Sequence, residues 1–371
     1  MVLPLIIALV LLAYSCLIFL LERGLHRLSS SVLPSEGDDS PGNVEALCIV
    51  IPFKNEEKTL PLVLADMAAQ EDCPAPFRVL LVDDHSSDAS VKVVESFVRD
   101  QPAFSLLRLP VGSKGKKQAL AMGIENADAP WILQVDADCR VGRGFVASHM
   151  YFAASRSCDL VAGALNIDGQ GRSFREVFEM HDVLSLTGTG AGSFHYGRPL
   201  MCSGANLMYR RELHQESRDF DPDELASGDD MFLLIGARKL GKRSCYNIDP
   251  EALVLTPAQK SWSALLRQRM RWGAKSTHYP MPDIKAVAFL VALANLLLAL
   301  LPLWLCLFPE ALGVLLLTAG LKFMMDFILI LAMAGMVKQQ AVLRWYLPVA
   351  LLYPYYMVLL LLAMPFRGRQ W

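Results

Sequence analysis

Three apolar runs in this 371-residue chain end in acidic or amide side chains. Leu47 to Ile51 runs into Pro52-Phe53-Lys54-Asn55-Glu56-Glu57, Val79 to Val82 into Asp83-Asp84-His85-Ser86-Ser87-Asp88, and Trp131 to Val135 into Asp136-Ala137-Asp138. A carboxylate at such an end can accept the imide hydrogen of a pyrimidine or the hydroxyls of a ribose. It can also cap the next helix, because Ser and Asp ahead of a helix satisfy its free N–H groups. Asp88 suits the cap, whereas Asp84 lies one step too early for it and is expected to face a ligand. Asp136 and Asp138, two residues apart as the chain leaves a strand, can share a hard divalent cation that takes oxygen ligands and keeps positions open for phosphate. Lys114-Gly115-Lys116-Lys117 precedes a helical pattern, so its ammonium groups, Lys117 among them, and the helix N–H groups could meet a diphosphate. A solvated basic turn is the alternative. There is no Walker A string and no GxGxxG opening, which speaks against an ATPase and a dinucleotide enzyme.

These groups need a scaffold, and the alternation of short apolar runs with helical patterns supplies one. Strands at Leu47–Ile51, Val79–Val82, Ser105–Leu109 and Trp131–Val135 are expected, with helices at Thr59–Gln70, Asp88–Arg99 and Lys116–Asn126 between them. Continuous apolar strands separated by helices predict an α/β fold, a mixed and mainly parallel sheet covered on both faces. In such a sheet, ligands bind outside the carboxyl ends of the strands. The acidic residues cluster at those ends. This part of the chain, 44–257, is roughly 210 residues, enough for one sizeable domain.

The chain is 53% hydrophobic and 19% charged, with a net charge of −2. That excess of apolar residues over ordinary globular usage excludes disorder and a simple soluble enzyme, and it sits at the two ends. Residues 1–21 carry no charge and are long enough to cross a hydrocarbon core. A cleaved signal peptide is the competing reading, but no basic segment precedes the run and no clear small-residue cleavage site follows it, so a retained anchor is expected. A linker at 22–43 follows, Ser/Pro/Gly/Asp-rich over 29–43, and 286–366 holds about three further spans, at Ala286–Phe308, Ala311–Val337 and Trp345–Met364. The last contains Pro348 and Pro354 and is expected to be kinked or only partly crossing.

Arg23, His26 and Arg27, the stretch Arg267 to Lys275, and Lys338 with Arg344 all fall on one side of this arrangement, which makes the middle of the chain cytosolic. Arg367 and Arg369 run against that count. Lys322 and Asp326, four residues apart on one helix face, are expected to pair, since an ionisable group at membrane depth is costly alone. The eight cysteines show no metal-ligand spacing, so neither a zinc site nor a disulfide framework is expected, in keeping with a reducing compartment.

Further along stand Cys202-Ser203-Gly204-Ala205-Asn206, Ser227-Gly228-Asp229-Asp230, and Gln268-Arg269-Met270-Arg271-Trp272. An acidic strand end, a DxD string, an acidic pair opening a helix and a QxxRW string beside a span, in this order over residues 44–275, resemble the membrane-bound family 2 glycosyltransferases of GT-A fold. Cellulose, chitin and hyaluronan synthases and ceramide glucosyltransferase are such proteins. The resemblance implies that Pro52, Glu56 and Asp84 line a nucleotide pocket, with Asp84 facing the base. It implies that Asp136 and Asp138 hold a UDP- or GDP-sugar through Mg2+ or Mn2+, with Asp138 the direct metal ligand. Asp230 would be the general base, although Gly228-Asp229 stands where Thr-Glu is typical and leaves Asp229 open as the alternative. Gln268, Arg271 and Trp272 would close the site from an interfacial helix within 258–285, binding the diphosphate and the acceptor.

The chemistry agrees with that assignment. Breaking a sugar–phosphate bond develops negative charge on the leaving diphosphate, which a cation and Arg271 would stabilise. An acceptor hydroxyl needs a carboxylate to take its proton as it attacks, and one base without a second nucleophilic carboxylate means inversion at the anomeric carbon. QxxRW could instead be an interfacial anchor. Of its basic residues, Arg267 and Arg269 are expected to be lipid-facing or solvated, and Arg271, on the face of Gln268, is the catalytic candidate. Three C-terminal spans look few for a polymer channel, so the expected acceptor is a lipid or a lipid-linked saccharide at the membrane. A processive polysaccharide synthase is the second reading, and an inactive sugar-nucleotide-binding membrane subunit a reading of another class. The latter would have lost a carboxylate, and Asp136, Asp138 and Asp230 are all present. A transporter lacks the necessary inverted repeats, and no nucleic-acid partner is expected.

Overall fold

The run LCIVIPF buries all seven of its side chains as strand β1 (Leu47–Phe53), which a strand can do only when both faces of its sheet are covered. A computed structural model describes residues 2–30, 44–220, 228–276 and 278–364, and their contacts divide the chain into two bodies. The first comprises Leu28–Asp168 and Phe194–Pro257. The second comprises Met1–Arg27, Gly169–Ser193 and Ala258–Trp371.

In the first body, β1, β2 (Phe77–Asp83), β3 (Phe104–Arg108), β4 (Trp131–Gln134), β6 (Leu160–Gly163), β8 (Leu207–Arg210) and β9 (Ser244–Asn247) form a seven-stranded sheet in the order β3-β2-β1-β4-β8-β6-β9. Pairing is parallel from β3 through β4 and between β6 and β9, and β8 runs antiparallel to both of its neighbours. Strand order reverses at β1, because β2 and β3 lie to one side of it and β4 to the other, and such a switch point opens a crevice at the carboxyl ends. Three short strands, β5 (Arg140–Val141), β7 (Leu165–Asp168) and β10 (Val254–Pro257), make a second sheet in the order β5-β10-β7. Helices α2 (Leu60–Ala68), α3 (Ser90–Val98), α4 (Lys116–Glu125), α5 (Phe145–Arg156), α7 (Arg211–Glu216) and α8 (Asp229–Lys239) complete this body. The expected mixed, mainly parallel sheet is present. The expectation about cysteines fails at one place: Cys158, just before β6, is disulfide-bonded to Cys245 in β9. Parallel pairing puts Val161 beside Cys245, so the two thiols meet although 87 residues separate them.

The second body contains α1 (Val2–Ser30, its last three residues in the first body), α6 (Phe174–His195, its last two residues in the first body), α9 (Trp262–Ser276), α10 (Pro282–Ala299), α11 (Leu301–Leu307), α12 (Leu312–Met336) and α13 (Tyr346–Ala363). Among the described residues four helical segments, Val2–Ser30, Pro282–Ala299, Pro309–Met336 and Gln340–Ala363, are long and apolar enough to cross a membrane. Three boundaries differ from expectation. Residues 22–30, expected to begin a linker, continue α1, because Leu21, Gly24 and Leu25 prolong its buried face. The remainder of that linker, 31–43, lies outside the described residues, as do Ser227 and the basic Arg367 and Arg369. The second span opens at Pro282, whose fixed φ suits a first helical turn, and it breaks at Leu300, where Pro302 starts α11. Residues 169–193, expected inside a single 44–257 domain, belong instead to the body of apolar helices.

Within that body Lys322 and Asp326 pair as their spacing requires, at 2.7 Å, with Lys322 only 2% exposed. Tyr14 of α1 donates its hydroxyl to the other Asp326 oxygen at 2.9 Å, so the pair also ties two helices together. The two helices α1 and α6 approach closely where Gly192 faces Leu21: a Cβ on Gly192 would stand 2.0 Å from the Leu21 carbonyl oxygen. Small residues permit such close helix contact in an apolar setting. Gly192→Ala is expected to cost about 2–3 kcal/mol by overpacking, read as a lower thermal midpoint in detergent, whereas Gly320→Ala, with nothing near its Cβ, leaves the midpoint unchanged.

Candidate active site

Register places the first two acidic loops side by side. Pro52 pairs with Val82 and Phe53 with Asp83, and the Asp84 N–H donates to the Phe53 carbonyl at 2.9 Å. The loops are then laced by side chains. Ser86 Oγ accepts from the Asn55 N–H, Asn55 Oδ1 from the Ser87 N–H, and Ser90 Oγ from the Glu56 N–H at 2.7 Å. Asp88 accepts from the N–H groups of Ser90 and Glu57, so it ties the start of α3 to the loop after β1. Asp84 differs from Asp88. It is 6% exposed, one oxygen lies 3.4 Å from Lys54 Nζ, and the other, Oδ1, is buried without a hydrogen-bond partner among the described residues. A buried acceptor left unmade costs about 1–3 kcal/mol, so this atom is available to an outside donor.

The strand β4 delivers the DxD pair. Asp136 binds Nζ of Lys116, the first residue of α4, at 2.5 Å. Asp138 is pushed up to about 6, by burial first and then by the charges of Asp136 and Glu56. Glu56 from the β1 loop and the two aspartates from β4 therefore share one negative potential. Among the described residues no group of three His, Cys, Asp or Glu side chains stands ready to hold a metal. Asp136 and Asp138 supply hard oxygen donors for a divalent cation, and other oxygens would have to come from a bound phosphate.

The acidic pair opens α8 after Gly228, whose φ of +112° suits a residue without Cβ. Asp229 accepts from Gln134 Nε2 at 3.0 Å, and Asp230 Oδ2 accepts from the Gly204 N–H at 3.0 Å. Both carboxylates also sit in the first turn, where the helix N-terminus favours negative charge. Burial alone would pull the Lys116 ammonium down, but Asp136, Asp229 and Asp230 together hold it above its ordinary range. One ammonium thus reports that the ends of β4 and the start of α8 converge. The 202–206 turn carrying Gly204 is anchored by Asn206, which is fully buried and donates to the carbonyls of Ala164 and Ala252, both at 2.8 Å. With both amide hydrogens used, Asn206 Oδ1 accepts from His149 Nε2 at 2.9 Å, and burial keeps that imidazole neutral by pulling it down to about 4.

Pro52, Glu56, Asp84, Asp136, Asp138, Asp229 and Asp230 are accordingly gathered in the first body. Lys117 is the next residue of α4, and its charge is felt by His214 of α7, while Lys116 makes the contact with Asp136. Lys116 stood in the basic string expected at a diphosphate and Gly204 and Asn206 in a string given no role of its own, while Gln134 was not singled out by type or spacing. The first position of α4 marks Lys116, and Gly204 and Asn206 belong to a string whose purpose the chain order does not reveal.

Gln268, Arg271 and Trp272 lie on α9 in the second body. Arg271 is exposed and Trp272 is 39% exposed. Arg269, expected to be lipid-facing or solvated, is 7% exposed and pairs with Asp182 of α6 at 2.6 Å. The correction has a physical cause: α6 supplies a buried carboxylate that a helix-face argument from α9 alone does not contain.

The mixed, mainly parallel sheet with its switch point at β1 is of the GT-A type. Residues 48–218 match the family described as Glycosyl transferase family 2, and the chain carries a family 2 glycosyltransferase domain over that range. The N-acetylglucosaminyltransferase of Rhizobium meliloti (strain 1021) is 28% identical over 280 residues, 73% of this chain and 64% of its own length. That of Sinorhizobium fredii (strain NBRC 101917 / NGR234) is 28% identical over 254 residues, 66% of this chain and 59% of its own. This chain therefore spans less than two thirds of these relatives. A mannosyltransferase from Pyrobaculum calidifontis in complex with GDP-Man and Mn2+ shares the fold, with a TM-score of 0.59 at 16% identity, covering 97% of this chain and 99% of that one.

The crowding at Asp138 has a consequence for stability. Its folded pKa lies above the ordinary carboxyl value of 3.8, so the folded state holds the proton longer than the unfolded one. Stability falls as pH rises from about 4 to about 6, and the full penalty is present at pH 7. Asp138→Asn is expected to raise stability at pH 7 by about 1 kcal/mol after solvent screening, and to change little at pH 4. Thermal unfolding in EDTA at the two pH values checks this.

Proposed function

We propose that the protein moves a sugar from a nucleotide diphosphate sugar to a lipid or saccharide acceptor at a membrane, in one metal-dependent displacement that inverts the anomeric carbon. The observation that carries this reading is the meeting of the β4 end with the start of α8: Lys116 binds Asp136 at 2.5 Å and Gln134 of β4 donates to Asp229 at 3.0 Å, with Asp230, Asp138 and Glu56 in the same field. Asp84, with its unpartnered buried oxygen, takes a donor from the base or ribose, and Pro52 and Glu56 line the same pocket. Asp136 and Asp138 would hold Mg2+ or Mn2+, Asp138 directly, and the cation would supply charge neutralisation for the departing diphosphate. Lys116 balances Asp136 and adds a positive charge where the diphosphate is released.

Asp230 takes the acceptor proton. The Gly204 N–H orients its carboxylate at the start of α8. Asp229, held by Gln134, is the alternative base. Gln268, Arg271 and Trp272 are assigned to the diphosphate and acceptor on the resemblance of their motif. The names of the two rhizobial relatives make an N-acetylglucosamine nucleotide the first donor to try, and the small number of spans favours single transfer over polymer synthesis.

Release of nucleoside diphosphate from a panel of sugar nucleotides, with and without membrane lipid extract, tests the reading. Asp230→Asn is expected to lower turnover about 10²–10⁴-fold with donor binding retained. EDTA should abolish transfer, and the product should carry the opposite anomeric configuration to the donor. Equal turnover by wild type and Asp230→Asn removes the base assignment, and a retained configuration removes the single displacement.

The basic clusters flanking the apolar helices favour a cytosolic catalytic domain in a multi-pass protein. The Cys158–Cys245 bond favours the opposite side, since such bonds persist in oxidising compartments. Protease digestion of sealed, right-side-out membrane vesicles decides between them: a cytosolic domain survives it.

A further inference from the structure

Arg269 is not named in QxxRW, yet it touches both ends of the motif. Its Nη1 donates to Gln268 Oε1, and its guanidinium carbon stands 4.2 Å from the centroid of the Trp272 ring. The same side chain donates Nε to Asp182 Oδ2 of α6 at 2.6 Å, and Tyr353 of α13 donates its hydroxyl to Asp182 Oδ1 at 2.9 Å. We propose that Arg269, clamped by Asp182 and Tyr353, is a positioning residue that sets Gln268 and Trp272 for sugar transfer.

Three features support a geometric role over simple stabilisation. A planar guanidinium can point one N–H at a carboxylate, another at an amide oxygen and a face at an indole, which a lysine ammonium cannot do together. A buried ion pair is weak evidence for stability, since apolar residues of similar volume often serve as well. Among the described residues Nη2 of Arg269 and the hydroxyl of Tyr356 are buried without hydrogen-bond partners, so this pocket is not arranged for maximal satisfaction of its own polar atoms. What it does secure is the orientation of a half-exposed indole and an amide on one helix.

This proposal rests on the assignment of Gln268 and Trp272 to the transfer site, so its test carries a readout that needs no substrate. Full-length protein in detergent is labelled with 5-fluorotryptophan, and the Trp272 fluorine resonance is identified by its loss in Trp272→Phe. In Arg269→Lys that resonance is expected to shift, and kcat to fall at least about tenfold with donor KM within about threefold. Tyr353→Phe should shift the same resonance less and lower kcat by a smaller factor.

The single variant Asp182→Asn leaves a buried charge uncompensated and is expected to lower the thermal midpoint. The neutral pair Asp182→Asn with Arg269→Gln should recover the midpoint without recovering either the Trp272 resonance or kcat. Recovery of kcat together with the midpoint overturns the proposal, because it makes the pair merely structural. An unmoved Trp272 resonance in Arg269→Lys also overturns it, as does a shifted resonance with kcat intact. A wild-type protein that transfers no sugar counts against the transferase reading instead, and the substrate-free resonance still decides whether the clamp exists.

Discussion

Carboxylates crowded at one edge of a sheet repel each other, and the architecture of the first body follows from the need to hold them there. Asp138 is already displaced in its titration by burial and then by Asp136 and Glu56, while Lys116 lies in the common field of Asp136, Asp229 and Asp230. Each acid is fixed by a different device. Asp88 is held by backbone N–H groups, Asp229 by the Gln134 amide, Asp230 by the Gly204 N–H at a helix start, and Asp84 is left with one oxygen unused among the described residues. The uneven treatment is informative, because a fold that needed these groups only as caps would satisfy them all. Stability surrendered at such an edge is the usual accompaniment of a binding site.

The body of apolar helices meets the opposite problem, that of charge in a poor solvent, and meets it twice in the same way. Lys322 pairs with Asp326, whose second oxygen accepts from Tyr14. Arg269 pairs with Asp182, whose second oxygen accepts from Tyr353. In both, a tyrosine from another helix completes the carboxylate, so the ion pair also joins helices that are distant in sequence. Removing one member of a buried pair costs about 3–5 kcal/mol, far more than the pair contributes when whole. Such pairs therefore specify which helices meet, while Gly192 against Leu21 sets how closely α1 and α6 approach.

Much of this could be read before any coordinates. The strands β1, β2 and β4, the helices after them, the mainly parallel sheet and the apolar spans follow from hydrophobic runs and their lengths, because burial on both faces and the thickness of a bilayer are local demands on composition. Lys322 and Asp326 were legible for the same reason, since a separation of four residues puts both on one helix face. Helix ends were less so: α1 runs on through 22–30 because a tertiary contact continues its buried face, and α10 breaks at Leu300 where Pro302 begins a new turn.

The amino-acid order by itself determined that acids would stand at the strand ends and that apolar helices would flank them, since period and composition act within a few residues. Only the tertiary structure decided that Lys116 meets Asp136, that Gly204 and Gln134 hold the α8 carboxylates, that Arg269 is buried against Asp182, and that Cys158 is bonded to Cys245. Each of those contacts joins residues at least 20 positions apart, and none has a periodic signal. Pairing at that distance depends on sheet order and helix packing, which are properties of the whole chain.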